Sequence, residues 1–193
     1  ENWGYCVGFI IVIMAHQHLF TENTITAVLP VMMRRQWVWT SALLRLWLIV
    51  LIANVVGCLL FALAMTHGNI LSPAVQTASM HIVDHMMANS QWQMFTKGIV
   101  AGWLIAVLVW MLPAAKEAKF LLIALMTYII ALGDFTHIVA GSAEMMYGAL
   151  LGEYSWFHGF YHFFLPTLAG NLMGGTAIFA LLSYVQVREE IKA

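Results

Sequence analysis

The chain has 193 residues, 62% of them hydrophobic and 9% charged, with a net charge of −1 at neutral pH and a mean hydropathy of +0.85. A soluble domain carries roughly 25% charged residues, so this composition excludes an ordinary soluble domain and points to an integral membrane protein. The eight Lys and Arg are too few and too scattered for a nucleic-acid surface, and Cys6 and Cys58 lie in separate apolar runs without disulfide or zinc spacing.

At ~20 apolar residues per crossing, five segments are predicted. Trp3–Met33 is long and interrupted at Thr21-Glu22-Asn23-Thr24. Leu43–Met65 and Phe95–Pro113 are ordinary spans. Phe120–Leu151 is a second long run, interrupted over Leu132–Glu144 by Gly133, Asp134, His137, Gly141 and Glu144. Phe163–Gln186 closes the set, and Thr66–Met94 and Gly152–His162 read as the longer loops. Pro30, Pro113 and Pro166 fall at or near segment ends, where a missing N–H costs little. Residue 1 already stands at the edge of a hydrophobic segment, and no cleavable signal peptide is visible.

Arg34, Arg35 and Arg45 follow the first segment, Lys116 and Lys119 the third, and Arg188 and Lys192 the last. If the chain alternates, these fall on one side of the membrane, which the charge rule makes cytoplasmic, the C-terminus included. Lys97 is the exception, at the opposite face. It either gathers anions at a cavity mouth or snorkels to the interface.

An internal repeat follows. Asn54-Val-Val-Gly57 with Phe61-Ala-Leu63 resembles Asn171-Leu-Met-Gly174 with Phe179-Ala-Leu181, and Phe20-Thr21 in the first break echoes Phe135-Thr136 in the second. Five segments put the two copies in opposite orientation, the inverted-repeat pattern of transporters and channels. The first copy lacks the helix that precedes the break in the second, so one crossing is expected before residue 1.

Water is absent at mid-membrane depth, so broken backbone and ionisable groups persist there only inside protein or around a wet cavity. His137 is the sharpest candidate: a neutral imidazole donates to an anion or accepts from an acid, and its charge is switchable near neutral pH. A satisfied structural histidine is the competing reading. Leu19 and Phe20 suit a hydrophobic constriction or plain packing, and Thr21 suits a hydroxyl facing a permeant or a helix cap. Asn54 and Asn171 occupy matching places from which to hydrogen-bond backbone freed at the breaks. The pairs His81/His85 and His158/His162 have i, i+4 spacing without evident further ligands, so no cofactor and no metal are expected. Gly170, Gly174 and Gly175 around Asn171 read as a close-packing face.

These residues resemble the formate/nitrite transporter family. The match lies in Leu19-Phe20-Thr21, Phe135-Thr136-His137, Lys97-Gly98, Val109-Trp110, and Gly170-Asn171 with Gly174-Gly175. The runs Phe9–Ala15, Leu19–Thr24, Gly102–Ala106 and Leu165–Asn171 bring it nearest to the YfdC-like bacterial inner-membrane branch. The resemblance implies an all-α, aquaporin-like inverted-repeat bundle with two broken helices. The chain, 1–193, would form one transmembrane channel domain holding five of six segments. It further implies a homopentamer in the lipid bilayer with one pore per protomer, passing small monovalent anions or their weak acids without covalent chemistry. By the same resemblance His137 is the central pore histidine, Thr21 faces it, Leu19 and Phe20 form a constriction, and Lys97 is a vestibule lysine. Thr136, Gly141, Gly102 and Glu22 depart from it: family members carry Glu, Asn, Asn and a small neutral residue at those places. Two rivals are kept open. An aquaporin-like neutral-solute channel shares the plan but needs the Asn-Pro-Ala that neither break contains, and a haem- or metal-binding redox subunit would use the histidine pairs.

Overall fold

The computed structural model describes residues 2–28, 31 and 36–180. Arg34, Arg35, Arg188, Lys192, Pro30, Leu181 and the end of the last predicted segment lie outside these. The described elements are helices α1 (Asn2–Met14), α2 (Asn23–Thr26), α3 (Trp37–His67), α4 (Pro73–Met87), α5 (Gln91–Met111), α6 (Lys119–Leu132), α7 (Ile138–Leu151) and α8 (Trp156–Gly159). A π turn, Phe160–Phe164, then α9, Leu165–Leu172, and a π segment, Met173–Ala180, continue the path of α8. No strand occurs among the described residues.

α3 and α5 are each long and apolar enough to cross a membrane unaided. α6 and α7, at 14 residues each, reach only about 21 Å apiece, short of the ~30 Å hydrocarbon core. They span only as a pair around the break Gly133–His137. α1, at 13 residues, is likewise too short alone and runs into the break Ala15–Glu22, after which α2 begins. The first break therefore opens earlier than the sequence suggested, and Asn23 and Thr24 are already helical. Gly141, read as part of the second interruption, lies within α7.

Two stretches read as loops contain helix. α4 fills most of Thr66–Met94; Ser72 caps it through Val75 N, and Pro73 at its first position gives up an N–H that has no partner there. The last helical path starts at Trp156, seven residues before the expected Phe163. It carries Pro166 in its interior rather than at an end. The π turn just before the proline absorbs the missing hydrogen bond, and Gln91 Nε2 donates to the Tyr161 carbonyl left without its helical partner, 3.1 Å.

Two apolar cores flank the breaks. One joins α1, α5 and α6 through Phe9, Ile13, Ile105, Leu108, Ile123 and Ile130. The other joins α3, α4, α7 and the last helical path through Val50, Cys58, Val83, Met86, Met145 and Phe163. α5 crosses the last path with backbone against backbone. A Cβ added at Gly170 runs into Phe95 O, at Gly174 into Ile99 O, and at Gly102 into the Asn171 carbonyl. Gly175 packs on Thr24 of α2, so this small-residue face works inside the protomer.

Gly102→Ala is expected to cost about 1–3 kcal/mol through overpacking against backbone that cannot yield. Gly57→Ala, which meets nothing within 4 Å, should leave stability unchanged or raise it by up to about 1 kcal/mol. Thermal unfolding in detergent compares the two.

Candidate functional site

Each break strips backbone groups of their helical partners, and each is tied down by one asparagine. Asn54 on α3 accepts from Phe20 N, 2.9 Å, and donates to His18 O, 3.1 Å. Asn171 on α9 accepts from Ile138 N, 2.8 Å, and donates to Thr136 O, 3.0 Å, and to Gly98 O, 2.9 Å. This shared pattern sets Phe20 against Ile138 and His18 against Thr136. The sequence echo of Phe20-Thr21 with Phe135-Thr136 is therefore three residues out of the structural register, because that resemblance follows residue type and not the hydrogen bonds. Trp47 Nε1 to Asn23 O, 3.0 Å, and Thr176 Oγ1 to Thr24 O, 3.0 Å, secure α2 just after the first break.

The breaks touch at one polar contact. His137 Nε2 lies 2.8 Å from Thr21 Oγ1, with both side chains buried. His137 also caps α7, its Nδ1 accepting from Ala140 N at 3.4 Å. An amide can only donate, so this cap puts the ring proton on Nε2 and makes His137 the donor to Thr21. The Thr21 hydroxyl proton is then left to point elsewhere. Beside the pair is a cavity of about 190 Å³, lined by Tyr5, Gly8, Phe9, Val12, Leu19, His137, Val139 and Ala140. Phe9 stands edge-on to the imidazole with centroids 5.0 Å apart, and the Tyr5 hydroxyl is enclosed without a hydrogen-bond partner.

The remaining candidates divide. Leu19 lines this cavity. Phe20, the next residue, points the other way into the second core, against Trp47 at 6.3 Å between centroids. Thr136 donates its hydroxyl to Met94 O, 2.7 Å, and so anchors the break to the start of α5. Lys97 is not a lone ammonium: it donates to Asn89 Oδ1, 2.7 Å, and to Asp134 Oδ2. His85 Nε2 lies 3.3 Å from the same carboxylate oxygen, and His158 stacks on His162 at 4.8 Å. No group of three or more His, Cys, Asp or Glu able to hold a metal ion occurs among the described residues.

The cavity wall contributed by α1 was missed from sequence. Its signal was available: Tyr5, Gly8, Phe9 and Val12 recur at i, i+3, i+4 and i+7, one helical stripe leading into the first break. Gly102 and Gly141 have steric reasons. An asparagine at 102 would collide with Asn171, and one at 141 with the Phe163 ring.

A family model described as formate/nitrite transporter matches residues 1–185. The chain is 49% identical over 191 residues to the inner membrane protein YfdC of Escherichia coli K12, a match covering 99% of this chain and 62% of that protein. It therefore spans somewhat under two thirds of that relative's length. To the formate channel FocA of Haemophilus influenzae it is 26% identical over 196 residues, covering 89% of this chain and 68% of FocA. A solved pentameric formate channel with formate bound matches with a TM-score of 0.82 at 19% identity, covering 97% of this chain and 81% of that one. That likeness shows the fold: a helical membrane bundle with broken helices, as the sequence led one to expect.

Asn171→Ala is expected to destabilise more than Asn54→Ala. It orphans one amide and two carbonyls at a fully buried position, at about 1–3 kcal/mol per group, whereas Asn54 sits where its bonds are only partly buried. Denaturation midpoints of the two variants check this.

Proposed function

Because the chain belongs to the formate/nitrite transporter family, we propose that it is a membrane channel or transporter for small monovalent weak-acid anions, formate- or nitrite-like, or for their protonated acids. The observation that carries the reading is the bond between Thr21 and His137 across the two breaks, beside an apolar cavity. In this reading Leu19 and Phe9 narrow the route with apolar surface, which a hydrated ion crosses poorly. At the waist the Thr21 hydroxyl, freed to donate because His137 donates to it, offers a hydrogen bond that replaces one lost with water. No covalent bond forms or breaks. Asn54, Asn171 and Thr136 hold the breaks in place and do not touch the passenger.

The solved relative's pentameric assembly and YfdC's description as an inner membrane protein support a homopentamer with one pore per protomer in a bacterial inner membrane. The charge pattern supports a cytoplasmic C-terminus.

Proteoliposomes holding the full chain, compared for formate, nitrite, acetate and water uptake, test this. His137→Ala should lower formate uptake about 10–100-fold, because without the imidazole's donation Thr21 is no longer held with its own proton free for the anion, a charge-assisted bond worth about that much. Passage of water alone, unaltered by the substitution, overturns the anion reading.

A further inference from the structure

Four side chains that take no part in the waist converge at the end of the bundle where α4 turns into α5. His85 comes from α4, Asn89 from the turn after it, Lys97 from the start of α5, and Asp134 from the second break. Lys97 Nζ donates to Asn89 Oδ1 and Asp134 Oδ2, and His85 Nε2 is 3.3 Å from that same oxygen. His162 braces the turn from the last helical path, its Nε2 lying 2.9 Å from Asn89 O and 3.2 Å from Met87 O. Asp134 is held in left-handed backbone, φ +53°, three residues before His137. Side-chain exposure falls from 64% at His85 through 42% at Asp134 to 26% at Lys97. The cluster therefore runs from solvent into the protein.

We propose that this cluster is a loading site that takes up a small monovalent anion together with a proton, with His85 as the proton's carrier and Asp134 as the positioning carboxylate between the two cations. The proposal rests on the anion-pore reading above. With His85 neutral, the Lys97 ammonium and the Asp134 carboxylate cancel, and an arriving anion finds no net attraction. A proton added to His85 goes to Nδ1, since Nε2–H faces Asp134. One carboxylate then serves two cations, and the site carries one surplus positive charge for an anion. Linkage makes this reciprocal: the bound anion stabilises the imidazolium by the same factor as the imidazolium stabilises the anion. The site therefore loads more readily as pH falls through the neutral-to-acid range and the proton arrives.

Among the described residues, the further titratable groups tied to the cluster are Glu144 on α7, on which Asp134 acts, Tyr154 after α7, which senses Glu144, Asp84 on α4 and Glu153, and His162. Burial and the Glu144 carboxylate push the Tyr154 phenol well up, so it stays uncharged throughout the range in question.

The test is tracer formate exchange in proteoliposomes at equal inside and outside pH, stepped from about pH 8 to about 5.5. The ratio of native to His85→Gln exchange cancels the protonation of formate itself. It should rise about fivefold as pH falls, the effect of one charge a few ångströms away in a wet site, and a flat ratio overturns the proposal. Asn tolerates left-handed backbone, so Asp134→Asn keeps the turn while leaving Lys97 uncancelled. Its exchange at high pH should already exceed native exchange about fivefold; a native rate there overturns the proposal. A third measurement needs no flux. In protein with ¹⁵N-labelled histidine, the imidazole signal missing from His85→Gln should titrate at higher pH when formate is added, and a midpoint indifferent to formate overturns the proposal. Native vesicles that exchange no formate count instead against the anion-pore reading.

Discussion

Backbone that leaves a helix inside a membrane has no water to turn to, and every amide and carbonyl it frees needs a protein partner. This protein meets that demand twice with the same device. In each half, an asparagine on a later helix accepts from one amide of the break and donates to the carbonyl two residues earlier. The rest of the architecture follows from getting those side chains to the right depth. Asn171 reaches the second break because Gly98, Gly102, Gly170 and Gly174 let α5 and the last helical path approach until backbone touches backbone. A methyl group at Gly102, Gly170 or Gly174 would run into backbone oxygen and force the two helices apart, drawing Asn171 away from the amide at the start of α7.

The same constraint explains why polar residues near the waist do so little that is visibly chemical. Thr136, Thr24, Thr127 and Ser142 all spend their hydroxyls on nearby carbonyls. In a low-dielectric interior, an unpaired hydroxyl is costly. What remains unspent among the described residues is the Thr21 proton and the enclosed Tyr5 and Thr167 hydroxyls. The first two lie on or beside the cavity.

Much of this was legible from residue order. A histidine inside an apolar run, paired interruptions and matched asparagines are local signals, and together they gave the broken-helix plan; that Thr21 faces His137 came from the family resemblance. What sequence hid was orientation. Leu19 and Phe20 are adjacent and equally apolar, yet one faces the cavity and the other the opposite core, because irregular backbone gives no periodicity from which to read direction. Lys97 looked solitary because Asp134 lies 37 positions away and is brought beside it only by the second break. α4 was taken for loop because polar residues dilute its hydropathy, although Ser72 and Pro73 marked its start.

The hydrogen-bond register also changes how the two halves relate. If Phe20 stands against Ile138, then Leu19 stands against His137: the place that holds the imidazole in one half holds an isobutyl group in the other. The imidazole therefore has an aliphatic counterpart across the register, and a low local dielectric strengthens its one polar contact with the first break, Thr21. The second break brings a buried polar pair, Thr136 and His137, where the first brings His18 and Leu19. The two asparagine-tied breaks thus place equivalent positions at the centre of the fold, with an imidazole in one and an isobutyl group in the other.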